Sequence, residues 1–404
     1  MRASAIRQAA GAAIGRKFRV TIRRRWVGLG LLAAIIASGG WWLNHWWTSW
    51  PARVVLQTQG MSWEDDGKQA RAGRLPGVSW PEAFSPDGTL LAISEPGSLT
   101  LWDSAVGRKR ATWAIPDGRR AYLGAFSPDG QTFGALSWGG GGQSLVLDLI
   151  DVASGHVRAS LPTSGGGLVH GGLAFTNGGQ NLRAFVYDKS DLIVLDCDVT
   201  PGRVVSSRTL SWSSSQNTTD VSSAGRLLAL APYLTAPGVS HLHTTDVTLW
   251  DVDQDREIAR LSGSAEVLEV AFSPDAVALA IGRAGGSVEI WDLKTRRLRA
   301  TFRPHNGSFD PRRLQFAPDG SALASLGDFT REAMTTVAVR RRVALLRGDR
   351  NWQPPRELVI LDTATGRRLL RTEDECNPSF SPDNRTLATS HRDGAIRLRD
   401  LPGR

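Results

Sequence analysis

His241-Leu242-His243 is the one place in the chain where two imidazoles fall two residues apart, a spacing that puts both on one side of a strand. A metal needs more than that pair, no third ligand is assignable, and an exposed loop pair is the expectation. The acidic runs Glu64-Asp65-Asp66 and Glu373-Asp374-Glu375 lack the spacing and closing glutamate of a calcium loop and read as wet loops. Gly139 to Gly142 and Gly165 to Gly167 are not followed by Lys-Ser or Lys-Thr and a helix, so they are strand connections rather than phosphate cradles. No Gly-x-Ser-x-Gly elbow precedes a helix either. No catalytic, cofactor-binding or metal-binding residue is therefore assigned.

The remaining chemistry is recognition. Phe329 to Arg356 carries Arg331, Arg340, Arg341, Arg342, Arg347, Arg350 and Arg356 against Glu332 and Asp349. Arg340, Arg341, Arg342, Arg347 and Arg350 with Trp352 have the composition of a partner-binding patch, because both residue types give large contact area and arginine grips carboxylate or phosphate with two N–H groups. The plainer alternative is a solvated extended hairpin.

The scaffold for such a patch is legible in a repeat. Leu268 to Leu293 holds three short runs with apolar residues at Val270, Phe272, Leu279, Ile281, Val288 and Ile290, broken by Ser273-Pro274-Asp275 and Ala284-Gly285-Gly286. A sheet that small cannot bury both faces alone and needs neighbours of its own kind. The Phe-Ser-Pro-Asp core recurs at Phe84, Phe126, Phe272, Phe316 (with Ala317) and Phe380, with degenerate copies at Phe175 and Val221. Successive units start 42, 49, 46, 51, 44 and 64 residues apart, about one four-stranded propeller blade each. Proline presets the turn, aspartate bonds to nearby backbone, and glycine, or Asn384, takes the positive φ. Ala276 lacks that freedom, so its blade is expected to turn by another route.

A second landmark follows each turn: Leu101-Trp102-Asp103, Ile150-Asp151, Asp198-Val199, Leu249-Trp250-Asp251, Ile290-Trp291-Asp292, Leu361-Asp362 and Leu398-Arg399-Asp400. Here residues 67 to 404 resemble the WD-repeat β-propeller family, with a true Trp-Asp in three units. The resemblance implies an all-β, seven-bladed propeller of four-stranded antiparallel blades, with the dipeptide ending each third strand, and scaffolding as the usual role. The family's Gly-His before the first strand is missing, as Gly263-Ser264 shows. The last unit ends after its third strand, and Gly67 to Leu75, which resembles the outer-strand segments Gly107 to Trp113 and Gly155 to Leu161, is expected to close the ring.

Ahead of the propeller, Trp26 to Leu43 is free of charge and about long enough to span a hydrocarbon core. Trp41, Trp42, Trp46, Trp47 and Trp50 crowd its far end as an interfacial belt. Residues 1 to 25 carry eight arginines and lysines and no acid, which places the N-terminus in the cytoplasm and the propeller outside, periplasmic or extracellular. The expected order is thus a basic tail 1–25, one transmembrane helix 26–47, a linker 48–66 and a propeller 67–404. Cleavage as a signal peptide near Ala37-Ser38-Gly39, giving a secreted protein, is the alternative. Without the tail, basic and acidic residues nearly balance, and the polyanion argument disappears with it: no nucleic acid is expected. Cys197 and Cys376 fall in distant units and are expected as separate buried thiols.

The functional expectation is a membrane-tethered, non-catalytic scaffold that takes a protein or peptide on the face where Gly139 to Gly142, Ala231 to Asp246 and Phe329 to Arg356 gather. The alternative is a propeller enzyme or small-ligand sensor with a site in the central channel, where His170, Glu82 and Glu269 are placed near the first strands.

Overall fold

A computed structural model describes residues 52–58, 79–138, 145–163, 167–188, 191–213, 217–236, 239–305, 309–329, 342, 356–391 and 393–401. The basic tail and the expected span Trp26 to Trp47 lie outside them. Among the described residues no helix is long and apolar enough to cross a membrane.

Seven antiparallel sheets form the seven blades of a propeller, each with four strands in meander order, the fourth blade carrying an added fifth strand. Their innermost strands are Trp80–Phe84, Arg120–Phe126, Gly167–Thr176, Asn217–Val221, Val267–Phe272, Phe309–Phe316 and Glu375–Phe380. Blade five shows why the blades need one another. Its second strand, Ala278–Arg283, is buried at every position. Alternation sends Leu279 and Ile281 against Leu249 and Leu261 of blade four, and Ala278 and Ala280 against Leu314 and Phe316 of blade six. Each fully buried aliphatic side chain stabilises the ring by roughly 2 kcal/mol. Outermost strands are the reverse: Arg256–Ser262, Arg297–Phe302 and Arg368–Glu373 carry arginines on mostly exposed positions, which blunts the unpaired edges.

The Ser-Pro-Asp-Gly hairpins are built as their chemistry requires. Ser85 Oγ donates to Asp87 Oδ1 at 2.5 Å and accepts the Leu90 N–H at 2.9 Å, while the Gly88 N–H reaches Ser85 O at 2.8 Å with Gly88 at φ +73°. Ala276 takes the same route, against expectation, at φ +54°, with Ser273 Oγ donating to Asp275 at 2.6 Å and the Ala276 N–H bonded to Ser273 O at 2.8 Å. The side-chain bonds of Ser273 and Asp275 outweigh the left-handed penalty on alanine, about 1–2 kcal/mol.

Closure differs from the sequence expectation. The fourth strand of blade seven is Val54–Leu56, within the stretch expected as linker, and it pairs Val54 with Leu398 and Leu56 with Ile396. Gly67 to Leu75 lies outside the described residues. Thr58 Oγ1 extends the pairing to Gly394 O at 2.7 Å, and Arg53 meets Asp400 at 2.9 Å. The seam matches the other blades: a Cβ on Gly107 of blade one would stand 2.3 Å from Val54, just as one on Gly155 of blade two would stand 2.1 Å from Trp113 in the outer strand of blade one. Leu56 is fully buried among Leu91, Ile93, Ile396 and Leu398. A valine-rich triplet fits that pocket, whereas the arginines and glycines of 67–75 matched only the outer-strand composition.

Buried polar groups knit the second and third strands where the family pattern seeks Gly-His. In blade six His305, preceded by proline, bonds Glu357 at 2.7 Å and Ser325 at 2.9 Å. In blade two an arginine takes that place, Arg119 holding Asp148 at 2.9 and 3.1 Å and Ser137 at 2.7 Å. In blade five Gly263 leaves room for Arg283, which bonds Glu289 at 2.9 Å and the carbonyls of Thr245 and Ala265. Glu375, expected in a wet loop, is buried in blade seven against Arg399 and Thr389. It begins a first strand, so the acidic run is a strand boundary rather than a loop.

Candidate functional site

The first strands line the central channel, and six of the seven lose register against their second strands: between Pro81 and Ala83, Ala121 and Leu123, Leu168 and Leu173, Val267 and Glu269, Pro311 and Arg313, and Cys376 and Ser379. A bulge breaks strict alternation and re-aims the side chains around it. Its neighbours here are Glu82, Tyr122, Glu269, Arg312, Arg313 and Asn377, with Asp220 contributed by the unbulged strand of blade four.

These groups feel one another across the ring. Glu82 is lifted to about 7: burial is the main cause, opposed by the charges of Arg313 and Arg120 and by the Gly124 N–H. Its Oε1 has no hydrogen-bond partner among the described residues. Asp220 also sits at about 7, because burial outweighs the N–H bonds it accepts from Phe272, at 2.7 Å, and Val221. Glu269 is held well above the ordinary carboxylate range by burial, with Arg313 and Arg312 opposing and Asp220 adding to the rise. Arg313 donates to Asn377 Oδ1 at 2.9 Å. One guanidinium in blade six thus acts on acids in blades one and five and bonds to blade seven.

Toward the end of the channel where first strands begin, Arg120 is buried with its Cζ 4.7 Å from the Trp80 ring centre and 6.0 Å from that of Tyr122. Tyr122 packs against Trp80 and Trp138 at centroid distances of 6.1 and 6.3 Å. Among the described residues no three His, Cys, Asp or Glu side chains form a group that could hold a metal ion. The chemistry on offer is charge: carboxyls poised near neutrality facing fixed cations, an arrangement typical of binding and proton-handling sites as well as of buried acids.

Glu82 and Glu269 stand at the channel, as expected from sequence. His170 lies in the first strand of blade three, with its side chain outside the described residues. Asp220, Arg312, Arg313, Arg120 and Asn377 were not foreseen, since a strand read as strictly alternating sends consecutive residues such as Arg312 and Arg313 to opposite faces. Of the expected recognition patch only Arg342 is described, and it is exposed; Arg340, Arg341, Arg347, Arg350 and Trp352 lie outside the described residues. His241 and His243 belong to an added fifth strand of blade four, Val239–His243, paired with Leu227–Ala236. Cys197 and Cys376 are free and buried, and burial raises each thiol to about 11.

No family model and no curated protein sequence matches the chain. Solved structures do: a chain of the crystal structure of a mitotic checkpoint complex matches at 16% identity with a TM-score of 0.57, over 88% of this chain and 93% of that one. In all, 1759 chains match, and a fold shared that widely names no activity by itself.

Proposed function

We propose that this chain is a membrane-tethered, WD-repeat-like propeller that presents one face to a protein or peptide partner and catalyses nothing itself. The observation that carries the reading is where the long connections emerge. Second strands end and third strands begin at one end of every blade, and there the chain runs from Trp138 to Val146, folds the extra strand Val239–His243, and runs from Phe329 to Glu357. The opposite end bears the short Ser-Pro-Asp-Gly hairpins and the compact links before each fourth strand, such as Thr363 to Gly366. Variable connections on a rigid disc are where binding residues gather. The described chain also enters the ring at the short-turn end, through Arg53 and Val54 beside Asp400. Membership of the matched chain in a protein complex is in keeping with a protein partner. In this reading Trp26 to Trp47 is the anchor, the N-terminus is cytoplasmic, and the propeller stands on the periplasmic or extracellular side.

Replacing Arg340, Arg341 and Arg342 together by Ser tests the face. Surface changes of this kind alter stability by within about 0.5 kcal/mol each, so the melting curve should stay close to wild type while capture of cross-linked partners by the detergent-solubilised chain falls. Equal capture by the triple variant, with loss of capture on mutating exposed positions around the Ser-Pro-Asp-Gly turns, assigns recognition to the other face.

A further inference from the structure

Arg312 and Arg313 are consecutive, and in a regular strand their side chains would part to opposite faces. The bulge after Pro311 prevents this: both side chains are exposed, and both guanidinium charges act on the carboxyl of Glu269 in the neighbouring blade. Arg313 donates to Asn377, while Arg312 has no hydrogen bond or ion pair among the described residues. Two solvent-reachable guanidinium groups therefore come from consecutive residues of one first strand in the channel wall.

The groups facing them do not neutralise them. Burial raises Glu82 from blade one and Asp220 from blade four to about 7, so near that pH about half of each is uncharged, and it holds Glu269 from blade five well above the ordinary carboxylate range. Blade two adds another cation, Arg120, and the neutral Tyr122; blade seven adds the amide Asn377. The side chain of His170, from blade three, is outside the described residues. The channel thus carries an excess of fixed positive charge with carboxyl O–H groups beside it.

We propose that the central channel is a receptor site for a small organic oxyanion, its carboxylate or phosphate oxygens gripped by Arg312 and Arg313 beside Glu269 and Glu82. Arginine forks match either group with paired, charge-assisted hydrogen bonds. A protonated glutamate can donate to such an oxygen, and the partnerless Glu82 Oε1 can accept from a ligand hydroxyl or amine. This site is separate from the long-loop recognition face, and each can fail without the other.

Calorimetric titration of the purified full-length chain with succinate and, separately, with inorganic phosphate tests the proposal and tells the two oxyanions apart. Saturable binding of at least one is expected, and Arg312→Gln should weaken it about tenfold, the equivalent of one charge-assisted contact of about 1.4 kcal/mol. Succinate keeps its charge from pH 6.5 to 8, and should bind more tightly at the lower pH. Glu82→Gln, which removes the negative charge that Glu82 acquires at pH 8, should bring affinity there up toward the pH 6.5 value. No saturable binding of either anion by the folded wild type up to about 10 mM, the millimolar range of the weakest specific sites, overturns the proposal. Unchanged affinity in Arg312→Gln overturns it too. Should Arg312→Gln not fold, Glu82→Gln decides alone: tighter binding at pH 8 supports the site, and unchanged affinity overturns it.

Discussion

Asp220 shows how a single side chain ties this fold to pH. Its carboxyl accepts the Phe272 N–H of the next blade at 2.7 Å, yet burial raises it to about 7, whereas an unfolded aspartate titrates near 3.9. Between those values the folded protein holds a proton that the unfolded chain has released. Stability from this group is therefore complete below about pH 4 and is lost as pH rises to about 7, by up to about 4 kcal/mol. Asp220→Asn keeps an oxygen for the Phe272 N–H and removes the titration. Urea midpoints measured from pH 4.5 to 8 should fall for wild type and fall less for the variant, which should be the more stable of the two at pH 8. Parallel curves would show that Asp220 is ionised in the folded state. The buried pair Arg119 and Asp148 is a different case: its geometry is bidentate and completed by Ser137.

At the scale of elements the closing strand is the most economical part of the fold. Three residues, Val54–Leu56, complete blade seven, and Leu56 fills a pocket shared by blades seven and one. Truncating a fully buried leucine costs about 2–5 kcal/mol, with the larger values where the cavity cannot collapse. Leu56→Ala should thus lower the melting temperature by several degrees, while Val55→Ala, at a position 46% exposed on the same strand, should leave it nearly unchanged. Equal effects of the two substitutions would mean that the strand does not seal the ring. Bulges are the second element-level device, since without them Arg312 and Arg313 could not share the channel.

For the whole molecule, the proposed anchor yields a topological prediction. The charge asymmetry around Trp26 to Leu43 favours a cytoplasmic N-terminus. Protease added to intact cells should therefore reach and cut the propeller. A tag placed before Arg2 should stay protected until the membrane is opened. Protection of the propeller in intact cells rejects the orientation, and recovery of the chain in the medium without its first residues supports cleavage instead of anchoring.

Blade number, the hairpin turns and the Trp-Asp positions were legible in the sequence because each depends on local chemistry: a proline that presets φ, a serine and an aspartate two apart, alternation on one strand. Glu82 and Glu269 were placed at the channel for the same reason, by their distance from a recognisable turn. The closing strand was misplaced because Val54–Leu56 is too short to carry a period and is selected by a pocket made of residues some 340 positions away, Ile396 and Leu398. His305, Arg119 and Arg283 stand in for the missing Gly-His because what the blade needs is a buried donor against a buried carboxylate, and several side chains meet that need from different positions in the chain. The channel itself was decided by tertiary structure alone. A one-residue slip in pairing turns Arg312 and Arg313 to the same side, and ring closure brings them opposite acids from other blades, neither of which leaves a mark on the local sequence.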